Sequence, residues 1–374
     1  MLRRLFAPEN LLHWLLVFVP VAAWLRFTHA DAVWVFVASC LAIVPLAGLM
    51  GQSTESLSAR AGPGIGGLLN ASFGNAAELI IGFMALRAGH IEIVQASITG
   101  SIIGNLLFVL GLAAFLGGLW REKQTFNRTA AGVGSAMLFL GVVGLLVPTL
   151  VTPALLRRAE VSDLVRRGLD SHVLGETLRT MSEWIAAILL AVYFAKLLFS
   201  LKTHHHLYDE EAEHGAAAEA RWSTAHSVAI LLLATAATAF VAEILVGAVE
   251  HAAAEIGLSH VFIGVVVIAI IGNAAEHSTA VLVALKGKMN LAITIATESS
   301  LQIALFVAPV LVFLGELYPQ NAPMTLHFSD FEAFAVAIGV GSVALISLDG
   351  ESNWLEGLQL LAVYGVLAVA FYFI

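Results

Sequence analysis

The chain has 374 residues, 59% of them hydrophobic before its 32 glycines are counted, only 12% charged, and a mean hydropathy of +0.89. Soluble domains run roughly 45–50% apolar with glycine included, so there is too little polar surface to keep this chain dissolved, and soluble enzymes are excluded. The net charge of −9 also leaves no basic footprint for nucleic acid.

Measured against the ~20 apolar residues that a bilayer core demands, the sequence offers eleven helical spans. They lie near 11–27, 32–51, 64–87, 91–119, 128–150, 181–201, 224–249, 260–285, 290–317, 328–346 and 355–373. The alternation of a membrane barrel is absent, so the fold class is an all-α polytopic membrane protein. Arg3 and Arg4 ahead of the first span resemble a signal peptide, but the next span follows within a few residues, so 1–30 reads as an uncleaved helix. Cys40, the only cysteine, lies inside the second span, which rules out an intrachain disulfide or a thiolate cluster. Spans two to five occupy 31–150, and 151–201 combines an arginine-rich loop with the sixth span. A linker rich in His and acids fills 202–223, and 224–374 holds the last five spans. With a cytoplasmic N-terminus, 11 of the 18 basic residues, Lys196 among them, fall on cytoplasmic segments; the 151–180 loop is the main dissent.

The third and eighth spans carry one motif. Gly74-Asn75-Ala76-Ala77-Glu78 recurs as Gly272-Asn273-Ala274-Ala275-Glu276, an offset of 198 residues, and the ungapped match gives 12 identities over positions 70–111. An offset of five spans reverses orientation. The reading is therefore one N-terminal helix followed by two inverted five-helix repeats, a plan in which the substrate site lies near the midplane between repeats.

A carboxylate inside a membrane costs about 2.5–3.5 kcal/mol on insertion scales, which marks Glu78 and Glu276 as functional candidates. Asn75 and Asn273 each precede their Glu by three residues and share its helical face. The following spans add Ser97, Ser101 and Asn105 at four-residue intervals, and Ser299 with Gln302 three apart. Carboxylates with neutral oxygen donors, and no thiolate or imidazole cluster, suit a hard cation, Ca²⁺ above Mg²⁺. A buried, uncompensated carboxylate takes a proton and a divalent cation displaces it, so metal and proton compete for one pair of groups.

The sequence resembles the cation/proton antiporters of the CAX branch of the calcium/cation antiporter superfamily. The resemblance rests on Gly-Gly-Leu-Leu-Asn-Ala-Ser-Phe-Gly-Asn-Ala-Ala-Glu-Leu-Ile (66–80), Gly-Ser-x-x-x-Asn-Leu-Leu (100–107), Ser-Leu-Lys-Thr-His (200–204), Gly-Asn-Ala-Ala-Glu-His (272–277) and Ser-Ser-Leu-Gln-Ile-Ala-Leu-Phe-Val-Ala-Pro (299–309). It covers nearly the whole chain. It implies eleven helices, Ca²⁺ moved by alternating access against protons, Glu78 and Glu276 binding cation and proton in turn, and no cofactor. It also implies an acidic helix between the sixth and seventh spans. One position departs from the pattern: Glu298, the repeat mate of Gly100, stands where the family usually has Gly. Four residues from Gln302, it is expected to line the cation path as a third titratable group, or else to be hydrogen-bonded away from it.

Weaker signals surround this core. Asp209, Glu210, Glu211 and Glu213 suit either a Ca²⁺-sensing regulatory helix or a solvated face. The three histidines before them do not converge as metal ligands, and His277 is a candidate proton-relay neighbour of Glu276. Glu243, Glu250 and Glu55 read as vestibule groups, either drawing cations inward or forming a polar wall. The expected partners are Ca²⁺ and other divalent cations, protons and the lipid bilayer, in a cell (inner) membrane or alternatively a vacuolar one. A Na⁺-driven or Mn²⁺-transporting exchanger on the same fold remains the nearest alternative, with a cation channel further off.

Overall fold

The computed structural model describes residues 13–157, 171–204, 222–318 and 323–374. In chain order its helices are α1 (Leu15–Phe27), α2 (Ala32–Phe73), α3 (Ala76–Arg87), α4 (Ile91–Gly118), α5 (Arg128–Arg157), α6 (Ser171–Leu198) and α7 (Thr224–Ile256). There follow α8 (His260–Gly272), α9 (Ala274–Leu285), α10 (Met289–Gly315), α11 (Asp330–Ile346) and α12 (Trp354–Phe373). Among the described residues seven helices are long and apolar enough to cross a membrane, eight if the bent pair α8–α9 counts as one span. The chain is an integral membrane protein built from helices.

Several boundaries differ from expectation for identifiable reasons. Residues 52–61, read as a loop, continue α2, because Ser53 and Thr54 turn their hydroxyls onto the carbonyls of Leu49 and Met50 at 2.6 and 2.9 Å. Such back-bonding hides polarity inside a helix. The break comes instead at Gly62, whose φ of 80° is open to glycine. There residues 63–73 turn back on the preceding helix, and a Cβ on Gly66 would lie 2.4 Å from the Ser58 carbonyl. The third span is thus two pieces, 63–73 and α3, joined at Gly74 and Asn75. The eighth is likewise bent by 62° between α8 and α9. The sixth starts ten residues before its expected limit, where Arg179 pairs with Glu176 and Glu183 along α6 and with Glu316 at the end of α10. A two-stranded antiparallel sheet, β1 (Gln124–Thr125) with β2 (Glu351–Ser352), ties the α4–α5 connection to the α11–α12 turn.

The two motif segments have matching local structure. α3 and α9 are each 12 residues long, start directly after Asn75 and Asn273, and stop at Gly89 and Gly287 with φ of 85° and 79°. A left-handed glycine is the standard helix terminator. The helices that follow each contain a wide turn with five-residue hydrogen bonding, at Gly104–Val109 in α4 and Ile303–Val307 in α10. Turns of this kind widen the helix locally and occur often at functional sites. The main core gathers around these two helices, with Leu106, Leu107, Leu301 and Leu305 sealed from solvent. α4 and α8 cross at backbone contact: a Cβ on Gly100 would fall 2.1 Å from the Val265 carbonyl oxygen, and one on Gly264 would fall 2.5 Å from the Ala96 methyl.

Candidate cation site

The sequence places Asn three residues before Glu at both helix starts, a spacing in which the Asn side chain would ordinarily cap its own helix. Neither does: Asn75 and Asn273 take non-helical backbone angles as N-caps, yet no side-chain cap bond forms. Their amides turn across the bundle instead. Asn75 Nδ2 donates to Gln302 Oε1, and Asn273 Nδ2 donates to Ser101 Oγ at 3.0 Å and to the Ala269 carbonyl at 3.0 Å. Asn105 Nδ2 donates to Ser299 Oγ at 2.9 Å, whose hydroxyl lies 3.5 Å from Asn75 Oδ1. His277 Nε2 sits 3.1 Å from Asn105 Oδ1, with its ring edge toward Phe108. Asn75, Gln302, Ser299, Asn105 and His277 thus form one hydrogen-bonded set, and Asn273 with Ser101 forms a second.

The two carboxylates stand beside these residues. Glu78 and Glu276 stand in the first turns of α3 and α9, where exposed backbone N–H groups make the local potential positive. They interact electrostatically with each other. Glu78 reaches across to the opposite motif: a Cβ on Gly272 would sit 3.5 Å from Glu78 Oε1, so glycine there leaves the carboxylate its place. Ser299 lies beside Glu276. Three oxygens of this group, Glu78 Oε2, Glu276 Oε2 and Asn273 Oδ1, are buried without a hydrogen-bond partner. A buried oxygen left unpaired is costly, and buried acceptors without a donor suit a cation. Among the described residues no three His, Cys, Asp or Glu side chains gather, so the centre combines two carboxylates with neutral oxygens.

The remaining acids are placed apart from this centre. Glu55, exposed on α2, acts electrostatically on Glu276. Glu250 is exposed near the end of α7, whereas Glu243 makes a 2.6 Å ion pair with Arg87 at the end of α3. Glu298 pairs with Lys196 of α6, both side chains being mostly buried, at 24% and 10% exposure. Lys196, counted above among cytoplasmic charges, is thus a buried counter-ion that positional reading missed. A Lys inside an apolar span four turns after Glu183 was the available signal. Asp209, Glu210, Glu211 and Glu213 lie outside the described residues.

The family model described as sodium/calcium exchanger protein matches residues 31–202 and 226–373. A protein named Ca(2+)/H(+) antiporter from Synechocystis sp. is 45% identical over 377 residues, covering 96% of each chain. One of the same name from Aphanothece halophytica is 43% identical over 372 residues, covering 96% of this chain and 95% of its own. The solved structure of native YfkE superposes with a TM-score of 0.79 at 37% identity, covering 97% of this chain and all of that one. The chain belongs to the sodium/calcium exchanger family.

Proposed function

We propose that this protein exchanges Ca²⁺ for protons across a cell membrane, using Glu78 and Glu276 as the shared binding groups. The observation that carries the reading is the set of unpartnered buried oxygens, Glu78 Oε2, Glu276 Oε2 and Asn273 Oδ1, contributed by both copies of one motif. Ca²⁺ takes six to eight oxygens. The two carboxylates, Asn273 and, after rotation of their amides or hydroxyls, Asn75, Ser101, Ser299 and Gln302 supply most of them. Mg²⁺, which gives up its water shell reluctantly, fits such a dry set less well.

Two carboxylates hold at most two protons, so exchange at this centre carries two protons per divalent cation and moves no net charge. The empty, doubly ionised centre would place two like charges side by side in apolar surroundings. That state is the costly one to reorient, and its avoidance couples the two fluxes. The inverted repeats supply two related conformations that open the same centre to opposite sides in turn. Glu55 and Glu250 then act as outlying negative charges that concentrate cations near the approaches. The curated relatives of similar length bear the name Ca(2+)/H(+) antiporter, which favours protons over Na⁺ as the driving ion.

The test is ⁴⁵Ca²⁺ uptake by proteoliposomes under an imposed pH gradient, with a Na⁺ gradient as control. Uptake should follow the pH gradient and vanish in Glu78→Gln and in Glu276→Gln. Uptake that follows Na⁺ and ignores pH refutes the exchange, and normal uptake by either variant refutes the site.

A further inference from the structure

One cavity borders the centre and shares Glu78 and Ser101 with it. It is lined by Glu78 and Gly82 of α3, Val94, Ser97, Ile98 and Ser101 of α4, and Ile303, Val307 and Leu311 of α10. Its walls are apolar apart from three groups: the Glu78 carboxylate, the Ser101 hydroxyl and the Ser97 hydroxyl. It has room for about one water molecule.

Many hydroxyls in these helices turn back onto the carbonyl four residues earlier, as Ser39, Thr54, Thr149, Thr297 and Ser300 do. Ser97 makes no such bond and takes no other partner among the described residues. One turn on, Ser101 Oγ accepts from Asn273, which leaves its own proton free to donate. Glu78 Oε2, on the opposite wall, is buried without a donor. A water in this cavity finds an acceptor in Glu78 and hydroxyl partners in Ser97 and Ser101, the two to four polar contacts that hold an internal water. The repeat mate of Ser97 is Ile295, so the second half has no matching hydroxyl, and the arrangement serves the Glu78 side alone.

We infer that Ser97 holds a water which enters the coordination sphere of the bound cation beside Glu78, making Ser97 a residue that sets affinity and selectivity for cations of high coordination number. The inference rests on the proposed Ca²⁺ site. Of the protein oxygens counted there, three are unpartnered as they stand and the others must first give up a hydrogen bond or rotate, and a water from this cavity extends the set without any movement of the backbone. Mn²⁺, content with six ligands in the manner of the smaller octahedral cations, depends on it less. Ser97 does not touch the cation; it positions the water that does.

The experiment compares Ser97→Val with Ser97→Thr in the full chain, purified and reconstituted, because Val and Thr have the same shape and differ in the hydroxyl. Apparent affinities for Ca²⁺, Sr²⁺ and Mn²⁺ are read from competition with ⁴⁵Ca²⁺ uptake. S97V should weaken Ca²⁺ and Sr²⁺ by about tenfold, the loss expected for one hydrogen bond made to a charged centre, and Mn²⁺ by about twofold at most. S97T should stay within about twofold of the unmodified protein for all three. Val307→Ile, which adds a methylene to the cavity from the opposite wall and leaves Ser97 intact, should reproduce the selective loss even where S97V folds poorly. Equal affinity of S97V and the unmodified protein overturns the inference, as does S97T weakening Ca²⁺ as much as S97V. If the unmodified protein takes up no Ca²⁺ in a manner dependent on Glu78 and Glu276, the proposed function fails first, and that result is distinct from either.

Discussion

Lys196 and Glu298 allow a direct test of what a buried ion pair contributes here. The pair joins α6 to α10, with the lysine side chain 10% exposed and the glutamate 24%. Replacing Lys196 by Met leaves a carboxylate uncompensated in largely apolar surroundings, and removing one partner of a buried pair costs roughly 3–5 kcal/mol. The lower end, about 3 kcal/mol, applies, because a quarter of the Glu298 side chain remains exposed. Glu298→Gln should cost a similar amount by stranding the ammonium. The double variant K196M/E298Q strands neither charge and should recover most of the loss, since replacing a buried pair as a unit is often close to neutral. The assay is denaturant unfolding in detergent followed by tryptophan fluorescence, analysed as a double-mutant cycle. Single variants within about 0.5 kcal/mol of the unmodified protein, or a double variant no better than the worse single, would refute the assignment of a structural pair. The same double variant should transport with unchanged dependence on Ca²⁺ and pH, because the Lys196 charge already meets that of Glu298. A shifted dependence would place Glu298 on the cation path after all.

Three further outcomes follow from individual contacts. Gly100→Ala would set a methyl 2.1 Å from the Val265 carbonyl, forcing α4 and α8 apart; overpacking of this kind costs about 1–3 kcal/mol, measured as a lowered unfolding midpoint in detergent. Gly104→Ala, four residues on with nothing within 4 Å of the added carbon, is the control and should leave that midpoint unchanged or raised. Lys123, exposed and hydrogen-bonded to Glu351 across the β1–β2 sheet, titrates above the ordinary lysine value of 10.5 because that bond favours the charged form. A raised value means that the pairing is complete below pH 10.5 and is lost only as pH climbs through the higher folded value. Lys123→Met should therefore leave the pH profile of uptake unchanged between about pH 6 and 9, where the lysine is charged in the folded and unfolded chain alike.

Much of this site was legible in the sequence because membrane burial makes every polar residue expensive, and few remain to choose among. Glu78 and Glu276 stood out by cost and duplication. Asn75, Asn273, Ser101, Asn105, Ser299 and Gln302 followed from helical spacing, and the structure bonds four of them, Asn75, Gln302, Ser299 and Asn105, in one set and Asn273 with Ser101 in another. What spacing could not show was helix continuity. Hydropathy reads Ser53 and Thr54 as the end of a span, whereas their hydroxyls are spent on carbonyls inside the helix. It reads 64–87 as one span, whereas the chain breaks beside Asn75. Pairing across elements was equally hidden. Arg87 with Glu243, and Lys196 with Glu298, are separated by 156 and 102 positions in sequence, and nothing local announces either partner.

The residues of the site also divide into duplicated and single-copy parts, and the division has a physical logic. Asn75 and Asn273, Ser101 and Ser299, and Glu78 and Glu276 are repeat mates. Gln302, Asn105 and His277 are not: their mates are Gly104, Ile303 and Leu79. The single-copy residues make the bonds that hold duplicated ones. Gln302 receives the Asn75 amide, Asn105 donates to Ser299, and His277 meets Asn105 in turn. Asn273, by contrast, is held by a duplicated residue, Ser101, and by the carbonyl of Ala269 in its own preceding helix. The two asparagines are thus fixed by unlike means. Asn75 has its amide bonded and its oxygen near a hydroxyl, while Asn273 keeps its oxygen bare. A cation entering the centre finds one side presenting a ready acceptor and the other presenting an acceptor already engaged by Ser299. At the proposed site the Ser299 hydroxyl, 3.5 Å away, would compete with a cation for Asn75 Oδ1. Ser299→Ala, which leaves Asn75 Oδ1 without its hydroxyl neighbour, should consequently weaken Ca²⁺ far less than Asn273→Ala, which removes the bare oxygen itself. Equal losses in ⁴⁵Ca²⁺ affinity for the two variants would show that the asymmetry has no part in binding.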